Sequence, residues 1–194
     1  MEQSPPVGKL VYSMGGITLD GFVEGPDGDF QWGAPDEELH QFHNDRVRTQ
    51  GAEVMGRRLY ETMVYWETAH EDPDASPIVL DFAAVWQALP KVVFSSTLTS
   101  VVGENTRLAT GSIADEVQAL KESVDGDIGL GGPGLASECA KLDLIDEYVV
   151  FVSPVLVGSG KPAFGPLPEQ HDLELLETRT FGSRVVYMRY ARVR

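Results

Sequence analysis

The segment from Asp127 to Lys141 constrains the fold of this chain more than any other. A short apolar run stops at a cluster of glycines, and a run of helix-forming residues follows directly. Glycine lets the backbone turn tightly and lets a ligand approach the main chain closely. The free N–H groups and the dipole of the following helix favour a negative charge there. The pattern predicts a strand, a turn and a helix that hold a phosphate, with an ordinary strand-to-helix turn as the alternative.

Three glycines in this segment, Gly129, Gly131 and Gly134, have the G-x-G-x-x-G spacing of dinucleotide-binding proteins. A Rossmann domain would place a carboxylate at the end of the next strand to hold the ribose. The next predicted strand, Tyr148 to Val152, instead runs into Ser153-Pro154. We therefore interpret the glycines as a phosphate-binding turn outside a Rossmann domain.

The charge of the chain limits its partners. Its 194 residues carry a formal net charge of −15, and 42% of them are hydrophobic. This composition is typical of a globular protein with a full core, and the charge argues against nucleic acid and anionic membranes as partners. No apolar run approaches the roughly 18 residues of a membrane-spanning helix. The one cysteine, Cys139, excludes an intramolecular disulfide, so we expect a cytoplasmic protein.

Strand-like and helix-like segments alternate along most of the chain. That order predicts an α/β fold with a mostly parallel central sheet covered on both faces. Two strand-like runs, Leu173 to Phe181 and Arg184 to Tyr190, follow near the end, and Gly182-Ser183 between them indicates a two-residue hairpin. We expect a flexible segment over 1–8 and a single domain over 9–194.

Further patterns predict local structure. Asp36 to Gln50 is expected to be a helix with carboxylates in its first turn. Ser112 to Ser123 is expected to be a helix that begins with the capping-box pattern Ser112-x-x-Asp115. The glycine-punctuated stretch Gly15 to Gly21 and the acidic stretch Glu67 to Pro77 are predicted to be loops.

Three segments besides the glycine turn follow predicted strands, so they can meet it at one edge of the sheet. In Gly56-Arg57-Arg58-Leu59, two arginines at a helix start are poorly placed for the dipole unless an anion binds there. In Ser95-Ser96-Thr97, hydroxyls follow a strand, and hydroxyls with arginine suit a phosphate monoester on a ribose. The third is Gly15 to Gly21. Alone, each is more simply a surface pair or a turn; together they favour an anionic ligand.

Taken together, these motifs resemble those of the dihydrofolate reductases, in the same order along the chain. Other motifs are still more similar to the reductase domain of bacterial riboflavin biosynthesis and its stand-alone relatives. The resemblance runs from about Lys9 to Arg192 and implies a three-layer, dihydrofolate-reductase-like fold. The first set is Met55-Gly56-Arg57-x-x-Tyr60-Glu61, Lys91 to Ser96, and Gly131-Gly132 before a helix; the second is Thr18-Leu19-Asp20-Gly21, Lys91 to Leu98, Leu144-Ile145-Asp146-Glu147, and Pro154 to Gly160.

The resemblance implies NADPH as hydride donor. Arg57 matches the arginine that holds the 2′-phosphate, and Ser95 and Ser96 match the hydroxyls beside it. Leu59 stands where dihydrofolate reductases usually have threonine. The positions implied to bind the cofactor are Gly56, Arg57, Arg58, Leu59, Ser95, Ser96, Thr97, Gly131, Gly132, Pro133, Gly134, Leu135 and Ala136.

The resemblance also implies a carboxylate that polarises or positions the substrate. The candidates are Glu38 on the first helix, although any helix favours a carboxylate in its first turn, and Asp20 in the loop after the first strand. Phe42, one turn after Glu38, is a candidate wall of the substrate site, and Trp66 is either such a wall or part of the core. Leu130, another candidate contact, stands where riboflavin-type domains tend to have glutamate.

The implied activity is hydride transfer from NADPH to a C=N or C=O bond of a small heterocycle, such as a pteridine or a pyrimidine with a ribitylamine-type side chain. The alternatives are a non-catalytic nucleotide-binding protein and a flavin-dependent reductase. A homodimer through the Tyr148 to Leu156 run and the terminal hairpin is a further expectation. His40 and His43 lie three residues apart without a cluster of further ligands, so no metal site is expected.

Overall fold

Residues 8–194 are described by the computed structural model, so the predicted flexible segment lies, except for Gly8, outside the described residues. The strands are β1 (Leu10–Thr18), β2 (Phe22–Glu24), β3 (Gln50–Gly56), β4 (Lys91–Phe94), β5 (Thr106–Leu108), β6 (Asp127–Gly131), β7 (Glu147–Ser153), β8 (Lys161–Pro162), β9 (Asp172–Thr180) and β10 (Val186–Val193). The helices are α1 (Glu37–Arg48), α2 (Arg57–Met63), α3 (Tyr65–Thr68), α4 (Pro77–Ala88), α5 (Ile113–Ser123) and α6 (Pro133–Lys141), with short 3₁₀ turns at Gln31–Gly33 and Ala69–Glu71.

The main sheet has eight strands in the order β5-β4-β3-β6-β1-β7-β10-β9, and β2 and β8 form a small sheet beside it. Neighbouring strands from β5 to β7 are parallel, whereas β10 is antiparallel to both β7 and β9. The predicted mostly parallel sheet with an antiparallel C-terminal hairpin is therefore confirmed. Among residues 8–194, no helix is both long enough and apolar enough to cross a bilayer.

Alternation along the strands produces the three layers. On β3, Val54 packs into the core beneath α5 and α6, whereas the next residue, Met55, packs against α2 and α4 on the opposite face. On β1, Tyr12 packs into the core beneath α5 and α6, and Val11 faces Leu39 of α1 on the opposite face. Strands in the middle of a parallel sheet are buried on both faces, which is why β7 is almost continuously apolar.

Two predicted loops are shorter than expected. Gly15 and Gly16 belong to β1, because β7 offers a pairing partner as far as Thr18, with an irregularity in register between Met14 and Ile17. Helix α3 and the 3₁₀ turn at Ala69–Glu71 occupy the first part of the acidic stretch Glu67 to Pro77, which was predicted to be a loop. Gln87 of α4 helps to hold this segment, since its Nε2 donates to the carbonyl oxygens of residues 66 and 67 at 3.0 Å.

The prediction of a two-residue hairpin between β9 and β10 was wrong. The connection is longer, because Phe181 and Val185 still pair through the backbone and Arg184 donates its N–H to the Phe181 carbonyl at 2.9 Å. Arg184, with φ of 68°, has the left-handed conformation that residues other than glycine seldom adopt.

Side-chain oxygens cap both helices for which carboxylates or a capping box were predicted. Asp36 accepts the N–H of Leu39 at the start of α1, at 2.9 Å. Ser112 accepts the N–H of Asp115 at 3.2 Å, and the Asp115 carboxylate reaches back to the Ser112 hydroxyl at 2.6 Å. These contacts satisfy donors that the first helical turn leaves without partners.

Glu116 ties α5 to the edge of the main sheet. Its buried carboxylate accepts from Arg107 Nη2 at 2.6 Å and from the N–H groups of Thr110 and Gly111 at 2.7 and 3.1 Å. The Arg107 hydrogen bond, with those N–H groups, lowers the pKa of Glu116 to about 2. A carboxyl whose pKa is lower in the folded than in the unfolded chain stabilises the fold above its unfolded pKa of roughly 4.3.

We expect Glu116→Gln to lower the free energy of unfolding by about 1.5–3 kcal/mol near neutral pH, because a charge-assisted contact is lost. The difference from wild type should shrink as pH falls from about 4.3 toward the folded pKa of Glu116, about 2. Denaturant unfolding at several pH values measures both effects, with Glu122→Gln on the same helix as an exposed control. A difference that stays constant down to the folded pKa would contradict this account.

Candidate active site

A cleft of about 510 Å³ opens at the carboxyl ends of the parallel strands. It forms because β1 pairs with β6 only as far as Tyr12 and then continues beside β7 alone. Its volume lies within the usual range for small-molecule sites. The cleft is lined by Tyr12, Ser13, Met14, Gly15, Gly16, Val23, Glu24, Phe30, Gly56, Arg57, Arg58, Leu59, Thr62, Gly132, Pro133, Gly134, Leu135 and Lys161.

Strand register brings three of the predicted segments together. Met55 of β3 is paired with Gly131 of β6, and Gly56 is paired with Phe94 of β4. The residues that follow these positions, which begin α2, α6 and the turn after β4, therefore emerge side by side. Segments far apart in sequence meet at the edge where ligands of open α/β sheets bind.

The glycine turn faces the cleft through its second half. Gly132 caps α6 with φ of 88°, a conformation that strains any other residue. A Cβ on Gly134 would meet no atom within 4 Å, so this position is open. Pro133 has no N–H to leave unpaired, and the N–H groups of Gly134 and Leu135 fall in the first turn, where no intrahelical acceptor exists. The turn can therefore offer two N–H donors to an anion in the cleft.

Gly129 and Gly131 serve packing instead. A Cβ on Gly129 would overlap the Glu53 carboxyl, and a Cβ on Gly131 would overlap the Leu59 side chain. Gly131 is buried and does not line the cleft, unlike the glycines that follow it. The spacing that resembles a dinucleotide fingerprint thus combines positions with different surroundings, and the ligand contact at Gly131 stays a prediction.

Two arginines line the cleft where α2 begins. Arg57 Nη1 pairs with Glu61 at 2.9 Å, and both side chains are about half exposed, so this pair is weak. None of the ion pairs found within residues 8–194 involves Arg58. Guanidinium groups can accept a second anionic partner, so this rim of the cleft is a favourable place for phosphate.

The hydroxyls after β4 lie beside the cleft and do not line it. Ser95 Oγ accepts the N–H groups of Thr97 at 3.1 Å and Leu98 at 3.0 Å, which closes the turn. The same oxygen is 3.4 Å from the Thr97 hydroxyl. Ser95 therefore shapes the turn, and Ser96 and Thr97 are placed next to the α2 start by the pairing of β4 with β3.

The structure does not place either predicted acid in the cleft. Glu38 is exposed and accepts from Arg179 Nη2 at 2.7 Å and from the N–H of Gly182 at 3.0 Å. The Gly182 N–H and the Arg179 guanidinium lower the pKa of Glu38. Glu38 thus joins α1 to the C-terminal hairpin, and its predicted role in polarising substrate needs correction.

Asp20 holds the loop between β7 and β8. Its carboxylate accepts the N–H groups of Gly158 at 2.7 Å and Val157 at 3.2 Å. The Thr18 hydroxyl and these N–H groups lower the pKa of Asp20. Asp20 does not line the cleft, so its contacts indicate a structural role.

The predicted substrate-contacting residues do not line the cleft, and for Trp66 packing in the core was one of the two predicted roles. Phe42 packs edge-on against Tyr187, with ring centroids 5.0 Å apart, and Trp66 packs against Phe82 at 4.5 Å. Leu130 is fully buried beneath α5 and α6. Apolar side chains at these positions are explained by packing alone.

Ala136, predicted to bind the cofactor, is buried and faces a separate hollow of about 120 Å³ beside α6. His40 Nδ1 donates to Asn44 Oδ1 at 2.9 Å, and His43 packs against Phe151 with ring centroids 4.4 Å apart. In the described part of the chain, no three or more His, Cys, Asp or Glu side chains form a group that could hold a metal ion.

Several residues that line the cleft were not predicted from the sequence. Ser13 and Met14 lie on β1, and their only signal was the Gly15-Gly16 pair that follows. Lys161 and Glu24 belong to the two strands of the small sheet, line the cleft and form a 2.9 Å ion pair. The Gly158-x-Gly160 loop before Lys161 was noticed only as a motif of resemblance.

The sheet order and the cleft at its carboxyl edge define an α/β protein of dihydrofolate-reductase-like fold. The chain belongs to the RibD C-terminal domain family, whose model matches residues 9–187. In Bacillus subtilis strain 168, the uncharacterized protein YyaP is 30% identical over 178 residues, 90% of each chain, and the uncharacterized protein YwjB is 28% identical over 178 residues, 91% of this chain and 94% of YwjB. The suspected relationship to riboflavin-biosynthesis reductase domains is confirmed.

Solved structures have the same fold. A putative riboflavin biosynthesis protein from Shewanella sp. PV-4 superposes with a TM-score of 0.74 at 22% identity, over 96% of this chain and 99% of the other. The Thermotoga maritima diaminohydroxyphosphoribosylaminopyrimidine deaminase/5-amino-6-(5-phosphoribosylamino)uracil reductase has a TM-score of 0.66 at 14% identity. That match covers 99% of this chain and 58% of the longer protein.

We expect Asp20→Ala to increase the hydrogen-exchange rates of the Val157 and Gly158 amides and to leave the α5 amides unchanged, because only local contacts are lost. In wild type, the protection should persist at neutral pH and disappear only below the usual carboxyl range, because the folded pKa of Asp20 is lowered. Asp27→Ala, in an exposed neighbouring turn, is the control. Equal exchange at Val157 in all three proteins would contradict the assigned role.

Proposed function

We propose that the protein is a reductase that transfers a hydride from NADPH to a small heterocyclic substrate of pteridine or pyrimidine type. The observation that carries this proposal is the meeting of Arg57, Arg58 and the Gly132–Leu135 turn in one cleft of a chain with net charge −15. Membership of the RibD C-terminal domain family supports a reductase. The Thermotoga relative, named as a uracil-derivative reductase, supports a pyrimidine substrate.

The residues present fit a phosphorylated dinucleotide. The guanidinium groups of Arg57 and Arg58 would hold the 2′-phosphate, and the N–H groups of Gly134 and Leu135 would hold the pyrophosphate. A Cβ on Gly134 would have no atom within 4 Å, so this position would admit the phosphate close to the backbone. Apolar residues such as Met14 on the cleft wall would exclude water from the remainder of the ligand.

NADPH, when bound, supplies the hydride, and the protein positions the substrate against it. Glu24 is the carboxylate among the residues that line the cleft, and its Oε1 is 2.9 Å from Lys161 Nζ. We therefore assign the substrate-positioning acid to Glu24, in place of Glu38 and Asp20, which are held elsewhere. The proton that accompanies the hydride would reach the substrate through this pair or through water.

Titration with NADPH and NADH, followed by quenching of tryptophan fluorescence, tests the cofactor. Trp32 reports on the cleft, because its ring lies 3.8 Å from the position of a Cβ on Gly16. We expect Arg57→Ala to weaken NADPH binding about tenfold to more than hundredfold, the effect of losing a charge-assisted phosphate contact, and to leave the weaker NADH binding unchanged. Arg48→Ala, a half-exposed arginine paired with Asp81, is the matched control.

Gly134→Ala provides a second test at the other end of the ligand. We expect the variant to fold normally, because the added methyl group meets no protein atom within 4 Å. We expect it to bind both nucleotides more weakly, because the methyl group would take the space where the phosphate approaches the backbone. Nucleotide affinity that is unchanged in both variants would contradict the cofactor site. Failure of wild type to bind either nucleotide would contradict the reductase assignment itself.

Turnover separates the proposal from its alternatives. NADPH oxidation in the presence of 5-amino-6-(5-phosphoribosylamino)uracil or a dihydropteridine should occur in wild type and be impaired in Glu24→Gln. NADPH binding without oxidation of any such substrate would favour a non-catalytic binding protein. Visible absorption of a flavin in the purified protein would favour the flavin-dependent alternative.

We also propose that two copies of the chain associate through one face of the C-terminal hairpin. β9 is exposed along its whole length, with Leu173 and Leu175 exposed by 43% and 52%. Leu175 lies opposite Tyr190 of β10, which lies opposite Tyr148 of β7, and residues so paired share a face of the sheet. Helices α5 and α6 pack on β6, and the apolar side chains of β9 remain exposed. Glu174 points to the other face, so this apolar surface is where strongly acidic copies can approach each other.

Light scattering during size-exclusion chromatography tests the association. We expect wild type to have twice the mass of one chain, and Leu175→Glu to have the mass of one chain, because a buried unpaired carboxylate opposes association. Glu174→Gln on the same strand should remain dimeric. A monomeric wild type, or a dimeric Leu175→Glu, would exclude this interface.

A further inference from the structure

Glu53 is a buried carboxylate on β3, with 9% of the residue exposed. Its side chain lies across two glycines of the neighbouring strand β6. One carboxyl oxygen occupies the space that a Cβ on Gly129 would need, and the other is 2.9 Å from the position of a Cβ on Gly131. The absence of side chains at these two glycines is therefore what gives the Glu53 carboxyl its place.

No basic side chain is paired with Glu53 in residues 8–194. Lys91 lies opposite it in the strand register, yet the Lys91 ammonium donates to the carbonyl oxygens of Trp86 at 2.6 Å and Leu89 at 2.9 Å. The ion-pair partner of Lys91 is Glu67, at 3.4 Å. Lys91 acts on Glu53 only as a more distant charge, and no hydrogen bond stabilises the ionised carboxyl.

Gln50 is the polar side chain next to Glu53. Gln50 Nε2 lies 2.7 Å from the same hypothetical Cβ on Gly129, so the Gln50 and Glu53 side chains meet there. Gln50 Oε1 is buried and has no hydrogen-bond partner among the described residues. A protonated Glu53 carboxyl can donate as well as accept a hydrogen bond, whereas an ionised one can only accept.

The charges around Glu53 balance only when it is neutral. Lys91 and Glu67 compensate each other, so an ionised Glu53 would add an uncompensated negative charge within the fold. Burial raises the pKa of Glu53 to about 8, against the opposing effect of Lys91. Because the folded pKa lies above the ordinary carboxyl value, Glu53 binds its proton at neutral pH and loses it as pH rises through about 8.

This carboxyl lies directly behind the wall of the cleft. Gly131, which it touches, is followed at once by the Gly132–Leu135 turn that lines the cleft. Leu59 also covers Gly131 and lines the cleft. A negative charge on Glu53 would therefore stand behind the N–H groups that we assign to the pyrophosphate, with little water between the two to screen it.

We propose that Glu53 is a positioning residue that couples nucleotide binding to proton uptake: its neutral form supports the glycine turn, and its ionised form opposes an anion there. This inference rests on the proposed binding of NADPH in the cleft. By linkage, a ligand that favours the protonated form binds more weakly as pH rises, and its binding draws a proton onto Glu53.

NADPH titrations of the intact protein from about pH 7 to pH 9 test the coupling. We expect wild-type affinity to fall about threefold to tenfold over this range, within the limit of tenfold per pH unit for one coupled proton. Glu53→Gln, which keeps the shape and remains neutral, should bind NADPH with nearly constant affinity. Glu122→Gln, an exposed carboxylate on α5, should behave like wild type.

Calorimetry of wild type in two buffers of different ionisation enthalpy measures the proton directly and does not depend on a variant. Uptake of a fraction of a proton near pH 8.5 is expected in wild type and none in Glu53→Gln. Identical pH dependence in wild type and Glu53→Gln, or no proton uptake by wild type, would overturn the inference while the reductase assignment stands. If NADPH binds at no pH, both proposals are rejected.

Discussion

Parallel pairing of β3 with β6 on one side and β4 on the other determines where the functional groups of this protein lie. Met55 pairs with Gly131 and Gly56 with Phe94, so the residues after these strand ends emerge at the same level. Parallel strands are joined by crossovers, which bring residues from distant parts of the chain to one edge. A slip of one residue in this pairing would turn the side chains of β3 to the wrong face and separate Arg57 from the glycine turn.

Features determined by local patterns could be predicted from the sequence. The alternation of strands and helices indicated the parallel sheet, and Asp36 and Ser112 marked their helix starts, because these signals act over a few residues. The meeting of the turns followed from the rule that the carboxyl ends of parallel strands share one edge, whereas the three-layer fold was implied by the resemblance. The extension of β1 through Gly15-Gly16 required knowledge that β7 lies beside it, which no local pattern contains.

The residues that bind the ligand in our proposal were easier to predict than those that contact substrate. Glycine turns and paired arginines are local signals, whereas the role of a carboxylate depends on which distant group it meets. Glu38 meets the C-terminal hairpin through Gly182, and Asp20 meets the loop at Gly158, across separations of 144 and 138 residues. Glu24 had no local signal and reached the cleft only through the small sheet that pairs it with Lys161.

The contact between Glu53 and Gly129 also limits the order in which this part of the chain can change. A side chain at position 129 would overlap the Glu53 carboxyl, so a larger residue there fits only if that carboxyl has moved or been replaced. If a larger residue is introduced at position 129 while the Glu53 carboxyl keeps its place, the intermediate is overpacked. We therefore expect a large residue at one of these two positions to be accompanied by a small or displaced side chain at the other.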